Sequence, residues 1–397
     1  MLNSNCRVCG SNKVNIFFKK ENCFFWYGPE NEYLKKNLHP KQMDVSMYLC
    51  LNCGFIGLVV NEQLKKIAQM FYSSPTSIPG TTHGQNSNYS IKLTKDFFDN
   101  YNKLLHNCIP DSVLEIGCQS GYLLHRFELM GTKTVIGIEP GNIEPYKDEK
   151  GEKVDVRRGC LSREIVDKSD FDLIICLFVL EHVEDVNSFL SIVYELLSKK
   201  GKLLLSVPNE FFALRDGNIG LLNMQHFNYF TPDSLINLLK KNGLNVLDSI
   251  STRASGLYIL AEKNNEKFND VAIANDKLEK YQDMVKSYSS LVEININKIK
   301  QLLHDPSNII GLYGVNCSLP NIFSWISELN ERKVYIFDSD SLKWDKYFSG
   351  VPNKIYPPQK MNLANKVVIV PYRLQEEIYS FLLEKKYSTL EIIKLYD

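Results

Sequence analysis

The chain has 397 residues, a length that calls for more than one hydrophobic core, and its 44% hydrophobic and 23% charged content is that of a globular protein rather than a disordered one. Lys plus Arg and Asp plus Glu stand at 46 each, so no net field draws the chain to phosphate backbones or anionic lipid, and nucleic acid is not an expected partner. No apolar run is long enough to span a bilayer, and "MLNSNCRVCG" lacks the charged-then-apolar pattern of a secretory signal, so a cytoplasmic location is expected.

Ten cysteines in such a compartment are expected to be reduced, which makes their spacing informative. "CRVCG" (Cys6, Cys9) and "CLNCG" (Cys50, Cys53) each give CxxC followed by Gly, a turn that aims backbone amides at sulfur. Four thiolates close a tetrahedral zinc shell with no open position for water, so a structural zinc site is predicted. The insert between the knuckles is too long for a minimal ribbon and must carry its own strands or loop. Cys23 and His39, within it, are alternative ligands. Cys118 and Cys176 fall in apolar surroundings and also read as small core residues.

Residues 73–90, "SSPTSIPGTTHGQNSNYS", have the composition of a linker or of an ordered loop beside a site. Residues 91–105 then place Leu93, Phe97, Tyr101 and Leu104 at helical spacing. Strands are predicted at "SVLEIGC", "KTVIGIEP", "EKVDVRRG", "FDLIICLFV" and "GKLLLSVPN", with a helix over 121–131 and another over 186–201 stopped by Gly201. "LNVLDSIS" and "GLYILAEK" add two strands suited to an antiparallel edge. The class is α/β, a doubly wound Rossmann-like parallel sheet.

The first turn of that sheet, "EIGCQSG", sets Gly117 and Gly121 where backbone amides can approach a ligand at the start of a helix. A dinucleotide fold prefers GxGxxG; here Gln119 occupies the middle position, which disfavours a pyrophosphate. Glu139 ends the second strand, where a carboxylate accepts both hydroxyls of a ribose. A nucleoside without pyrophosphate but with an amino-acid tail satisfies both features.

From about residue 85 to 265, "VLEIGCQSGYLL", "VIGIEP", "FDLIICLFVLEHVED" and "GKLLLSVPN" resemble the class I S-adenosylmethionine-dependent methyltransferases. That resemblance implies S-adenosylmethionine as cofactor, framed by Glu115, Gly117, Cys118 and Gly121, with Glu139 and Pro140 at the ribose, Leu161 bordering the adenine and Leu177 near the methionine chain. Residues 279–303 then give a long amphipathic helix, and "NIIGLYGVN", "KVYIFDSD" and "KVVIVPYR" read as strands of a smaller α/β unit. A cysteine-knuckle head, a methyltransferase centre and this tail together resemble the C-methyltransferases of nucleotide-linked deoxysugars. The implied organisation is a zinc-binding domain over 1–75, a methyltransferase domain over 76–265, a helical connector over 266–303 and a Rossmann-like domain over 304–397. The expected substrate is a nucleotide-linked sugar or a related surface-polysaccharide precursor, and the expected assembly a monomer or small homo-oligomer.

In that family the loop after the fifth strand resembles YxEHxxYF. Here "NMQHFNYF" keeps His226, Tyr229 and Phe230 in register, with Gln225 in place of glutamate and Asn223 in place of tyrosine. The resemblance implies His226 as base, with Gln225 orienting the ring or a sugar hydroxyl without adding charge. His182 of "LEHVED" is a second candidate at the carboxyl end of the fourth strand. Two other function classes stand beside this reading: an RNA methyltransferase, for which the neutral charge balance offers no support, and a cofactor-binding structural subunit without turnover.

Overall fold

The computed structural model describes residues 5–24, 29–30, 42–73, 83–84, 88–252, 256–264, 268, 272–348, 350–385 and 390–397. His39 and all of the 73–90 stretch except Ser73, His83, Gly84 and 88–90 lie outside them. The chain forms two compact units: Met1–Asn15, Tyr48–Asn209 and Phe227–Leu278 in the first, and Ile16–Met47, Glu210–His226 and Glu279–Asp397 in the second.

The first unit holds, among the described residues, a sheet of seven strands: β1 Ser112–Ile116, β2 Thr134–Glu139, β3 Val156–Arg158, β4 Phe171–Leu177, β5 Leu197–Val207, β6 Leu244–Thr252 and β7 Gly256–Lys263. Their spatial order is β6-β7-β5-β4-β1-β2-β3. β1 to β5 run parallel, and β6 and β7 are antiparallel, as the two-strand edge in the sequence requires. The apolar runs of β1 and β4 are buried nearly throughout because helices cover both faces of a parallel sheet. Helix α1 (Asn88–Leu105) turns Phe97, Tyr101 and Leu104 onto Leu123, Leu124 and Phe127 of helix α2 (Tyr122–Met130). The strand order reverses between β1 and β4, which opens a crevice at their carboxyl ends.

One boundary differs from the sequence reading. Helix α3 (Val186–Leu196) ends before Leu197, which already pairs with Phe171 of β4. Gly201 therefore lies inside β5, where a Cβ would sit 2.4 Å from the Phe171 carbonyl oxygen. Its lack of a side chain serves this close approach of two backbones, not a helix cap. Helix α4 (Pro232–Lys241) starts at the Thr231 capping box.

Helix α5 (Asn275–His304) buries Tyr281, Val285, Tyr288, Val292 and Ile299 of the stripe read from the sequence, and leaves its sixth member, Leu302, half-buried. In the second unit, β8 Ile310–Tyr313, β9 Val334–Phe337, β10 Val351–Tyr356, β11 Lys366–Ile369 and β12 Glu391–Lys394 form a parallel array in the order β12-β11-β8-β9-β10. The insert between the cysteine knuckles contains strands Val14–Phe24 and Gln42–Cys50, so it carries its own structure.

Candidate functional site

The turn after β1 is fastened to the end of β2. Gly117 and Cys118 donate their N–H groups to Ile138 O at 2.8 and 3.1 Å, and Gln119 donates its N–H to Glu139 Oε2 at 3.0 Å. Gly117, Gln119 and Gly121 all have positive φ, at 75°, 53° and 81°. At Gly117 a Cβ would stand 2.4 Å from Val179 Cγ2, so the turn and the chain after β4 are in close contact. Gln119 thus adopts a backbone conformation suited to glycine while keeping a side chain.

Glu139 is 9% exposed and accepts one N–H on each oxygen, the second from Gly141 at 2.6 Å. Among the described residues it forms no ion pair. A carboxylate has about four acceptor positions, so capacity remains for a pair of hydroxyls. Burial raises its carboxyl pKa, and the two amides offset part of that rise. Glu115 is 3% exposed, and its Oε2 is buried without a hydrogen-bond partner, as in a site that receives a polar ligand. Burial, reinforced by Glu139, pushes the Glu115 carboxyl well above the usual range. Cys118 is buried with its sulfur on the β2 side, where a Cβ at Gly137 would approach it to 2.4 Å. Pro140 and Leu161 are half-buried, and Leu177 ends β4 opposite Ser206. These groups fit the nucleoside with an amino-acid tail inferred from the motifs.

Cys6, Cys9, Cys50 and Cys53 have their sulfurs within 4.8 Å of one another. Cys6 to Cys53 and Cys9 to Cys50 are both 3.6 Å, close to the roughly 3.8 Å edge of a tetrahedron with zinc–sulfur bonds of about 2.3 Å. Asn52 aims its N–H at the Cys50 sulfur from 3.4 Å. Hydrogen bonding with Cys50 raises the Cys53 thiol and lowers that of Cys9, so the four groups cannot all ionise without a cation. Cys23 is buried in the second unit and is not one of the four grouped cysteines, and burial pushes its thiol up to about 12.

His182 follows β4 in a short 3-10 turn, Leu180–His182, and its Nε2 lies 3.9 Å from Glu181 Oε1. Phe178, just before it, holds φ at 54° and donates its N–H to Ser206 O at 2.8 Å. A non-glycine residue in that region stores strain, a feature of functional turns that no sequence pattern announces. Sequence reasoning also passed over Asn209, two residues beyond β5. It is 5% exposed, its Nδ2 donates to Ser251 Oγ at 2.7 Å, and its Oδ1 is buried without a partner.

Gln225 and His226 belong to the second unit. Gln225 is buried and His226 half-buried. Asn223 forms their turn: its Oδ1 accepts the Gln225 N–H at 3.0 Å, and its carbonyl accepts the His226 N–H at 2.9 Å. The preceding chain is gripped by side chains of the same unit. Asn321 donates to Ile219 O and Leu222 O at 3.0 and 2.8 Å, Asn295 to Asp216 O and Gly217 O at 3.1 and 3.0 Å, and Tyr288 to Asn218 O at 2.9 Å.

A family profile described as a methyltransferase domain matches residues 89–249. The chain is 36% identical over 103 residues to a ubiquinone biosynthesis O-methyltransferase of Azorhizobium caulinodans, covering 24% of this chain and 40% of that protein. It is 27% identical over 152 residues to C-methyltransferase NovU of Streptomyces niveus, covering 35% of this chain and 34% of that protein. The magnesium protoporphyrin IX methyltransferase of Synechocystis PCC 6803, solved with bound SAH, aligns at 20% identity and a TM-score of 0.36 over 51% of this chain and all of that one. The chain spans 40% and 62% of the length of the first two curated relatives it matches. The profile match places a methyltransferase domain over most of the seven-stranded sheet.

Proposed function

We propose that the protein transfers a methyl group from S-adenosylmethionine to oxygen or carbon of a nucleotide-linked sugar or related surface-polysaccharide precursor. The observation that carries the cofactor half is Glu139: a buried carboxylate held by two backbone amides, with no cation paired to it among the described residues, at the carboxyl end of β2 beside the turn after β1. The sugar half is supported by His226, Tyr229 and Phe230 in the loop after β5 and by similarity to a protein named a C-methyltransferase.

When bound, the cofactor supplies an electrophilic methyl on a sulfonium. Glu139 accepts the ribose hydroxyls, Gly117 and Gly121 admit the ligand close to backbone, and the buried Glu115 oxygen takes a donor. His226 removes the acceptor's proton, Gln225 orients it and His182 assists. The unpaired Asn209 oxygen accepts a hydrogen bond from a substrate hydroxyl. Cys6, Cys9, Cys50 and Cys53 hold a structural zinc.

The test is mass spectrometry after incubation with S-adenosylmethionine and a panel of hydroxyl- and keto-bearing nucleotide sugars, a phenol and an RNA. Methyl gain on a sugar nucleotide is the expected result. Gain on the phenol alone would favour a second reading, suggested by similarity to ubiquinone biosynthesis O-methyltransferases. With the sugar acceptor, His226→Ala should lower the rate about 10²- to 10⁴-fold with cofactor affinity unchanged; near-normal turnover would remove the histidine from the mechanism. Metal analysis should find a single zinc ion per chain, and Cys50→Ser should reduce folded yield more than it alters chemistry.

A further inference from the structure

The first of the two residues between Cys6 and Cys9 bonds outside the cysteine group. Arg7 donates through Nε to Asn228 Oδ1 at 3.0 Å and through Nη2 to Leu58 O at 2.9 Å and to Phe227 O. Its guanidinium lies 5.9 Å from the centre of the Tyr48 ring. The knuckle backbone is itself pinned: Asn187 of α3 donates to Arg7 O at 2.8 Å and Lys241 of α4 to Val8 O at 2.7 Å.

Asn228 is 1% exposed and uses its whole amide. While its oxygen accepts from Arg7, its Nδ2 donates to Leu180 O at 2.9 Å and Val183 O at 2.6 Å. Those two carbonyls bracket the turn that carries Glu181 and His182. The Phe227 N–H closes the same turn by donating to Glu181 O at 2.8 Å. The amide cannot flip, because a flip would set NH₂ against the guanidinium and oxygen against two carbonyls. A short CxxC loop thus fixes Arg7, Arg7 fixes the orientation of Asn228, and Asn228 fixes both ends of the His182 turn and the chain directly after His226.

We propose that Arg7 and Asn228 are positioning residues through which the cysteine knuckle sets the His182 turn and the start of the segment following His226. The idea rests on the reading that these histidines serve methyl transfer, and its structural core is measurable without a substrate. Two variants break the relay at different places. Arg7→Met keeps length and loses the donors; Asn228→Asp keeps an acceptor for Arg7 and loses the donor to the two carbonyls.

In zinc-loaded full-length protein, amide hydrogen exchange at residues 180–183 and 227–229 should accelerate at least about tenfold in each variant. Exchange at 117–121 and affinity for S-adenosylhomocysteine should stay as in the parent. With any acceptor methylated by the parent, kcat should fall about tenfold or more while KM for S-adenosylmethionine holds, and Arg7→Lys should restore part of it. Acceleration spread over the whole unit, or none at either segment, would overturn the proposal, whereas a parent that methylates nothing in the panel would sink the functional reading and leave the exchange result to decide the relay. If Asn228→Asp fails to fold, Arg7→Met alone decides.

Discussion

The sheet of β1 to β7 and the array of β8 to β12 repeat one local arrangement with opposite outcomes. In the first unit Gly117, at φ 75°, follows β1, and Glu139 at the end of β2 accepts N–H groups from Gln119 and Gly141. In the second, Gly314, at φ 93°, follows β8, and Asp338 after β9 accepts the N–H groups of Val315 at 2.7 Å and Asp340 at 2.8 Å. Asp338, however, also receives Lys343 Nζ at 3.1 Å. Pro371 fills the space over Gly314, where a Cβ would stand 2.2 Å from its Cγ. Among the described residues Glu139 has no such cation. The turn and the acid build a cradle in both sheets, and an internal cation and a proline ring close the second one. A glycine turn with an acid one strand on is therefore a frame for a ligand, and its neighbours decide whether a ligand is needed.

The most direct attempt to break this contrast exchanges the two acids for alanine. Glu139→Ala should weaken S-adenosylhomocysteine binding by about 3 kcal/mol, on the order of 100-fold, by calorimetry. Asp338→Ala should leave that affinity unchanged and lower the melting temperature, since it strands Lys343 and the Val315 N–H. Equal loss of binding in both would mean that the second cradle is also open.

A second experiment sharpens the difference in buried acids. Glu210, 5% exposed in the second unit, is pushed to about 7 by burial, with Arg373 opposing the rise. Its folded form holds a proton that the unfolded form has released, so it contributes a loss of stability as pH climbs from the ordinary carboxylate range through about 7. Thermal melts at pH 5 and pH 8 should show Glu210→Gln gaining on the parent at the higher pH, by at most about 3 kcal/mol. A constant difference between the two pH values would show that Glu210 titrates normally.

The smallest effect should come from the glycines. Gly117→Ala and Gly314→Ala each force a left-handed backbone on a residue with a Cβ and should cost about 2 kcal/mol of stability. Only Gly117→Ala should also raise the dissociation constant for S-adenosylhomocysteine. A similar rise from Gly314→Ala would dissolve the contrast.

Much of this was legible in the chain. Apolar runs of five to seven residues bounded by turns located β1, β2 and β4, because strands buried on both faces leave little room for polar residues. The placement of Gly117, Gly121 and Glu139 at the turn and the strand end was legible because it depends on their order along one βαβ unit. Gly201 misled because a glycine after an apolar helix reads as a cap, while its actual constraint is the approach of Phe171, thirty positions away in the chain. Asn209 and Phe178 left no pattern, since an orphaned oxygen and a strained φ belong to three-dimensional surroundings.

The sequence by itself determined the class of fold, the pairing of two cysteine knuckles and the glycine–acid grammar of the first sheet, all of which follow from local periodicity and short spacing. Tertiary structure alone decided that Arg7 reaches Asn228, 221 positions away, and that Asn228 in turn holds the His182 turn. It alone decided that Lys343 closes one cradle while the other has no cation among the described residues. Hydrogen bonds and ion pairs act over about 3 to 4 Å of space whatever the separation along the chain, so a charge's partner is fixed by the packing that brings it near.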